Sequence, residues 1–277
     1  MPIFRADDGT PLAFHVRGGG ESLLCLPGGP MRASAYLGDL GGLDARRRLV
    51  MLDARGTGGS GLPADPGTYR CDRLVDDVEA LRRHLGLERV DLLAHSAAGD
   101  LALQYAGRYP HRVRALCMIT ARARVLGVEF TTAHRAQAAD LRAGEPWAAG
   151  ARAAYDAIWA GTATDADFDT AAPFFYGRWD EAARAHAASD AEQTNDAAAQ
   201  AYTAPGAFEP LTAVPDVPVL VLAGELDSAP RPAVAEEIAG RFRRAEVVVQ
   251  PGAGHYPWLD DPARFSGAVE AFLGRHS

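Results

Sequence analysis

The sequence predicts an α/β fold: a mostly parallel sheet with helices on both faces, interrupted by a helical insert. Three observations carry this. Short apolar runs recur at Leu23–Leu26, Arg48–Leu52, Val90–Leu93, Arg114–Thr120 and Val217–Ala223. Runs of this length, apolar on both faces, read as strands buried on both sides. Helical stretches alternate with them, which favours parallel pairing. Between Val125 and Ala204 the pattern breaks: alanine dominates and strand runs are absent.

Taken in order, Ile3–Arg5 and Leu12–Val16 flank the turn signal Asp7-Asp8-Gly9-Thr10 and read as a hairpin. Leu23–Leu26 is a buried strand ending in Pro27-Gly28-Gly29-Pro30, a stretch that excludes a regular element and leaves backbone amides accessible. Arg48–Leu52 is the next strand, followed by the glycine-rich loop Asp53–Gly61. Across Arg70–Leu85, Leu74, Val78, Leu81 and Leu85 share one helical face. Val90–Leu93 is the central strand and Leu101–Tyr109 the helix after it, with Ala94-His95-Ser96-Ala97-Ala98-Gly99 between them. Arg114–Thr120 is a further strand. The insert carries helices at Thr132–Ala143, Ala151–Ala160 and Asp180–Asp190, and an aromatic cluster at Pro173–Trp179. Strand, helix, strand and helix then resume at Val217–Ala223, Arg231–Phe242, Ala245–Val249 and Pro262–Leu273. An insert placed there lies over the carboxyl edge of the sheet, where parallel-sheet enzymes bind ligands.

Composition excludes several roles. The chain has 277 residues, enough for one large core, and a formal net charge of -8 with 28 Lys plus Arg. No basic run is interleaved with aromatics, which argues against nucleic-acid binding. Arg46-Arg47-Arg48, the densest basic spot, reads as solvated surface. No segment has the apolar length of a membrane span and the first residues do not resemble a signal peptide, so the expected compartment is the cytoplasm. The three cysteines are far apart and no His/Cys cluster has metal-ligand spacing. The Asp53–Gly61 loop lacks Gly-Lys-Ser/Thr and the G-x-G-x-x-G spacing. No metal and no cofactor are expected. Arg55 in that loop reads as a tie between neighbouring loops.

Ser96, Asp227 and His255 each fall in a loop just past the carboxyl end of a strand. A parallel sheet brings such loops to one edge. A serine hydroxyl needs a base to accept its proton, and the base needs a carboxylate to fix its tautomer and stabilise its charge. Ser96 is the candidate nucleophile, His255 the base and Asp227 the orienting acid. A strand that turns into a helix within a residue or two needs small neighbours, and Ala94, Ala98 and Gly99 supply them. Oxyanion donors are expected at the Ala97 amide and in the loop after Leu26, at Gly29, with Gly28 or Met31 as alternatives. His95 is locked on the elbow and reads as structural or pocket-lining. One of Asp260 and Asp261 suits capping of the helix that begins at Pro262.

These residues resemble the α/β-hydrolase superfamily and, more narrowly, the proline iminopeptidase family. The family's Asp-x-Arg-Gly-x-Gly-x-Ser is met by Asp53, Arg55, Gly56, Gly58 and Ser60. Its oxyanion loop His-Gly-Gly-Pro-Gly appears as Pro27-Gly28-Gly29-Pro30-Met31, with both flanks changed. Its elbow, Gly-x-Ser-x-Gly-Gly, appears as Ala94–Gly99. Its Gly-x-x-Asp and Gly-x-His appear as Gly224–Asp227 and Gly252–His255. The cap signature Trp-x-x-Trp-Glu is absent. The resemblance implies an α/β-hydrolase core at residues 1–124 and 206–277, and a helical cap at residues 125–205.

In that family, cap carboxylates bind the free amine of the substrate. Residues 125–205 hold 12 Asp/Glu against 5 Arg, including Asp180, Glu181 and Glu192. The first expectation is therefore a serine hydrolase that cleaves an N-terminal aminoacyl amide or ester, acting on a small-molecule or short peptide-like substrate. The second keeps the triad and replaces the substrate with a carboxylic ester, lactone or thioester, whose acyl group Trp147, Phe174, Phe175, Tyr176 and Trp179 could line.

Overall fold

The computed structural model describes residues 1–276. Eight strands form one sheet in the order β1-β2-β4-β3-β5-β6-β7-β8. They are β1 (Ile3–Arg5), β2 (Pro11–Arg17), β3 (Ser22–Leu26), β4 (Arg48–Leu52), β5 (Val90–His95), β6 (Val113–Ile119), β7 (Val219–Gly224) and β8 (Ala245–Gln250). The β1–β2 and β2–β4 pairs are antiparallel, and the other pairs are parallel. The apolar runs of the sequence fall on β3 to β7 because these strands are covered on both faces.

Alternate side chains of each strand enter different cores. On β3, Leu24 and Leu26 join the cluster that holds α1 (Cys71–His84), α2 (Ala98–Arg108) and the helix at Pro232–Ala239. Leu23 and Cys25 face the opposite cluster, with residues 36–43 and the C-terminal helix. The same period-two split recurs on β6 and β7. The fold is the α/β-hydrolase sandwich that the sequence implies.

The insert between β6 and β7 is helical. It comprises α3 (Thr132–Leu141), α4 (Ala148–Ala160), α5 (Asp165–Ala171), α6 (Glu181–Ala188), α7 (Asp190–Gln193) and α8 (Asp196–Tyr202). Its own apolar cluster is small: Ala139, Ala151, Ala154, Tyr155, Ala171 and Phe174. Ala198 and Tyr202 of α8 instead enter the main core. Two helices of the insert escape the sequence reading. The α5 helix starts on Thr164, whose N–H and hydroxyl both donate to Asp167. The α8 helix starts on Asn195, whose side chain accepts from the Ala198 amide. Both are single capped turns or little more, with too few large apolar residues to show a stripe. The single helix expected over Asp180–Asp190 is two, and Asp180 is the N-cap of the first. After β7 come α9 (Pro232–Ala239), α10 (Pro257–Asp260) and α11 (Pro262–His276).

One surface expectation fails. Arg47 is 4% exposed and its guanidinium bonds Glu270 and Glu21. It pins α11 to the amino edge of the sheet, whereas a basic triplet by itself reads as solvated. Among the described residues, no helix is long and apolar enough to cross a membrane.

Candidate active site

The ends of β3, β5, β7 and β8 meet at one edge of the sheet. β5 stops at His95, and α2 begins at Ala98. Ser96 stands between them with φ of 54°, in left-handed space that a non-glycine residue enters only under constraint. The constraint is visible. Its N–H donates to the Ile119 carbonyl at 3.1 Å, and its carbonyl accepts from the Gly99 and Arg122 amides at 3.1 and 2.9 Å. A Cβ on Gly99 would lie 2.3 Å from the Arg122 carbonyl oxygen, so the elbow closes only on glycine there. Ala94 and Ala98 are buried and small enough at their positions.

The Ser96 Oγ lies 2.9 Å from Nε2 of His255. Nδ1 of His255 lies 2.9 Å from Oδ2 of Asp227. The fully buried Asp227 also accepts the Ala229 amide at 3.0 Å, and Arg231 donates to the carbonyls of Glu225 and Asp227. A carboxylate accepts only, so Nδ1 carries the proton and the Nε2 lone pair receives the serine hydroxyl. His255 is fixed from above as well: its N–H donates to the Phe175 carbonyl of the insert at 2.7 Å.

Neither the Ala97 amide, at the start of α2, nor the Gly29 amide donates to a backbone carbonyl among the turn and loop bonds of the described residues. Gly28 drops out as an alternative donor, because its N–H donates to Tyr36 Oη at 2.6 Å. Its contribution is closeness: a Cβ there would lie 2.8 Å from that of Ser96 and 2.7 Å from the His95 carbonyl oxygen. Met31 remains an alternative to Gly29; it is buried, with φ of 59°.

His95 links these parts. Tyr36 takes the Gly28 amide and donates to His95 Nδ1 at 2.7 Å. His95 Nε2–H donates to the His255 carbonyl at 3.0 Å, and Thr120 Oγ1 donates to the same carbonyl at 2.9 Å. Burial, followed by the nearby His255 charge, holds His95 well below the usual histidine range. It stays neutral, as this donor–acceptor pattern requires. Tyr36 and Thr120 belong to no motif, and no local pattern marks them.

Of the aromatic cluster, only Phe175 approaches the histidine, with ring centroids 6.3 Å apart. Phe174 is buried against Trp147 and Tyr155 in the insert's own core. Tyr176 is buried, stacks on Tyr256 and bonds His186 Nδ1 at 2.7 Å. Trp179 and Trp147 border a groove shared with Arg142, Arg178 and Arg184; neither Ser96 nor His255 borders it. Trp159, absent from the expected set, lies 6.3 Å from Phe175.

The carboxylates expected at an amine site are exposed. Asp180 is exposed and accepts the Ala183 amide as a helix cap. Glu181 and Glu192 are exposed on α6 and α7. Arg122 is bonded to Ser96 through its backbone amide. Arg122, half-buried, lies over the Phe130 ring at 4.7 Å, and Arg135 over the Trp159 ring at 4.4 Å. Burial, then the neighbouring Arg124 and Arg135 guanidiniums, push Arg122 down to about 10. Asp260 and Asp261 divide their work: Asp261 caps α11 through the Arg264 amide, while Asp260 accepts the Gly177, Arg178 and Gly254 amides and ties the insert to the His255 loop.

Residues 21–262 match the family model described as alpha/beta hydrolase fold. The chain belongs to this family. Its fold and its Ser–His–Asp line are those of a serine-hydrolase-type enzyme. An esterase structure from Exiguobacterium antarcticum superposes with a TM-score of 0.75 at 19% identity, covering 98% of both chains. A proline iminopeptidase structure from Mycobacterium smegmatis superposes with a TM-score of 0.73 at 26% identity, covering 99% of this chain and 98% of that one. The proline iminopeptidase of Heyndrickxia coagulans is 33% identical over 103 residues, which are 37% of this chain. That match spans 36% of the relative's length, little more than a third.

Proposed function

We propose that the protein hydrolyses small carboxylic esters or lactones through an acyl-enzyme on Ser96. The observation that carries this is the hydrogen-bonded line from Ser96 Oγ through His255 to the buried Asp227. In this reading Ser96 attacks the carbonyl carbon while His255 Nε2 takes its proton. The amides of Ala97 and Gly29 receive the oxyanion. His255 then protonates the leaving alkoxide, and a water deprotonated by His255 releases the acid and restores Ser96. Asp227 holds the imidazole and stabilises its charged form. Residues 125–205 act as a cap over this edge, and Phe175 with Trp159 supplies apolar surface for the substrate.

The aminoacyl reading, in which the enzyme is proline-iminopeptidase-like, is the second. It is favoured by the whole-chain likeness to the Mycobacterium smegmatis enzyme at 26% identity. The ester reading takes precedence because Asp180, Glu181 and Glu192 are exposed, while the residue bonded to the Ser96 carbonyl through its amide is an arginine, Arg122. An ammonium is repelled by a guanidinium, and more so where water is scarce.

The test compares p-nitrophenyl acetate and butyrate with the naphthylamides of proline, alanine and N-acetyl-alanine, with Ser96→Ala as blank. Ester turnover without amide cleavage is expected. Faster cleavage of the free-amine amides than of the esters overturns the ester reading in favour of the aminopeptidase.

A further inference from the structure

Two guanidiniums stand beside the reactive line without a carboxylate. Buried cations are ordinarily paired, and several other arginines of this chain are. Arg124 bonds Asp100 at 2.8 Å, Arg32 bonds Asp190 at 2.8 Å and Arg55 bonds Asp8 at 2.7 Å. Arg122 and Arg135 have no ion pair among the described residues. The carboxylates within electrostatic range of Arg122 are Asp100, which Arg124 already holds, and Glu129, which is exposed. Arg135 leaves its buried Nε without any partner. Both guanidiniums instead lie on aromatic faces; Arg135 Nη1 donates to the Trp159 carbonyl at 3.4 Å, and its Nε stays free.

Their place follows from the contacts. Arg122 bonds Ser96 through the backbone at 2.9 Å. Arg135 lies on Trp159, Trp159 on Phe175, and Phe175 on His255, which bonds Ser96. Arg122 and Arg135 feel each other's charge. Arg122 is thus tied to Ser96 through the backbone, and Arg135, on the insert, is two aromatic rings from His255.

We propose that Arg122 and Arg135 receive a carboxylate of the substrate, so that the ester or lactone turned over carries a second, anionic group. This rests on the ester reading above. A carboxylate there relieves the repulsion between the two guanidiniums and satisfies the free Nε. It also anchors the molecule at one end while Ser96 acts at the other, which orients the reacting carbonyl.

The experiment measures kcat/KM for mono-4-nitrophenyl glutarate and for 4-nitrophenyl valerate, its neutral counterpart, with Ser96→Ala as the blank for spontaneous breakdown. Inhibition of 4-nitrophenyl butyrate turnover by glutarate and by glutaramide is read beside it. The wild-type preference for the anionic ester is expected to be tenfold or more, and glutarate to inhibit more strongly than glutaramide. In Arg122→Gln and Arg135→Gln the preference ratio is expected to fall about tenfold, and in Arg122→Lys only in part. A wild-type ratio near one, with Ser96-dependent butyrate turnover, overturns this inference and leaves the ester reading standing. No Ser96-dependent ester turnover at all sinks both. An unfolded Arg122→Gln leaves the decision to the wild-type ratio, the glutarate inhibition and Arg135→Gln.

Discussion

Ser96 is held at φ of 54° by three backbone hydrogen bonds. That geometry projects its hydroxyl toward His255 and stores strain. Ser96→Ala keeps the strain and removes the nucleophile; Ser96→Gly removes both. Turnover of either variant is expected to fall by about 10⁴-fold or more. Ser96→Gly is expected to be more stable than Ser96→Ala by roughly 1 kcal/mol. Urea denaturation beside an activity assay checks this; equal stabilities would show that packing, not strain, fixes the elbow. The sequence marks Ser96, Asp227 and His255 because each sits one to five residues past a strand end, amid small residues. It marks neither Tyr36 nor Arg122. Their roles come from partners that the fold delivers, such as His95, 59 positions from Tyr36, and no local pattern carries that information.

At the scale of elements, the insert rests on the core through α6 and the loop before it. His186 of α6 accepts from Tyr176 at Nδ1 and donates from Nε2 to the Tyr36 carbonyl at 3.1 Å. Burial, then the Arg32 charge, lowers its pKa from 6.5 to about 4. The unfolded chain therefore takes up a proton near pH 6.5, while the folded one resists until about pH 4. This junction contributes stability above pH 6.5 that is lost as pH falls toward 4, on the order of 1–3 kcal/mol once solvent screening is allowed for. His95, shifted the same way by burial, adds to the trend. Melting temperatures between pH 7.5 and 4.5 are expected to drop more steeply for the wild type than for His186→Gln; parallel curves would remove His186 from the seam. The strands and the long helices were legible because each repeats its pattern over several residues. The α5 and α8 helices were not, since seven residues with a single large side chain each show little periodicity. The aromatic cluster was legible as a cluster but not by function: chain direction alone sends Phe174 to the insert's core, Phe175 toward His255 and Tyr176 onto Tyr256.

Across the whole molecule, buried ion pairs join distant parts. Arg55, in the loop after β4, donates to Asp77 of α1 at 2.8 Å and to Asp8 of the β1–β2 turn at 2.7 Å, the tie that its loop position suggests. Burial raises the Asp77 carboxyl and Arg55 opposes the shift. Arg55→Ala leaves Asp77 buried without its partner and is expected to cost about 3–5 kcal/mol. Chemical denaturation measures this, and a loss under 1 kcal/mol would mean that water replaces Arg55 readily. Two further observations bear on the whole site. The His255 loop is bonded to the insert at Phe175 and through Asp260, and the loop after β3 is bonded to His95 through Tyr36. The insert and the reactive edge are thus one hydrogen-bonded assembly, and a substrate fits only what that assembly leaves open.

The central claim is that one serine of this chain is the nucleophile. Among the serines of the described residues, only Ser96 has its hydroxyl on a histidine side chain. The most direct measurement is the intact mass and peptide map of the folded protein after treatment with a fluorophosphonate. One adduct per chain is expected, on Ser96, with none on Ser96→Ala and far slower labelling of His255→Ala. No adduct on the folded wild type, or an adduct on another serine, contradicts the account.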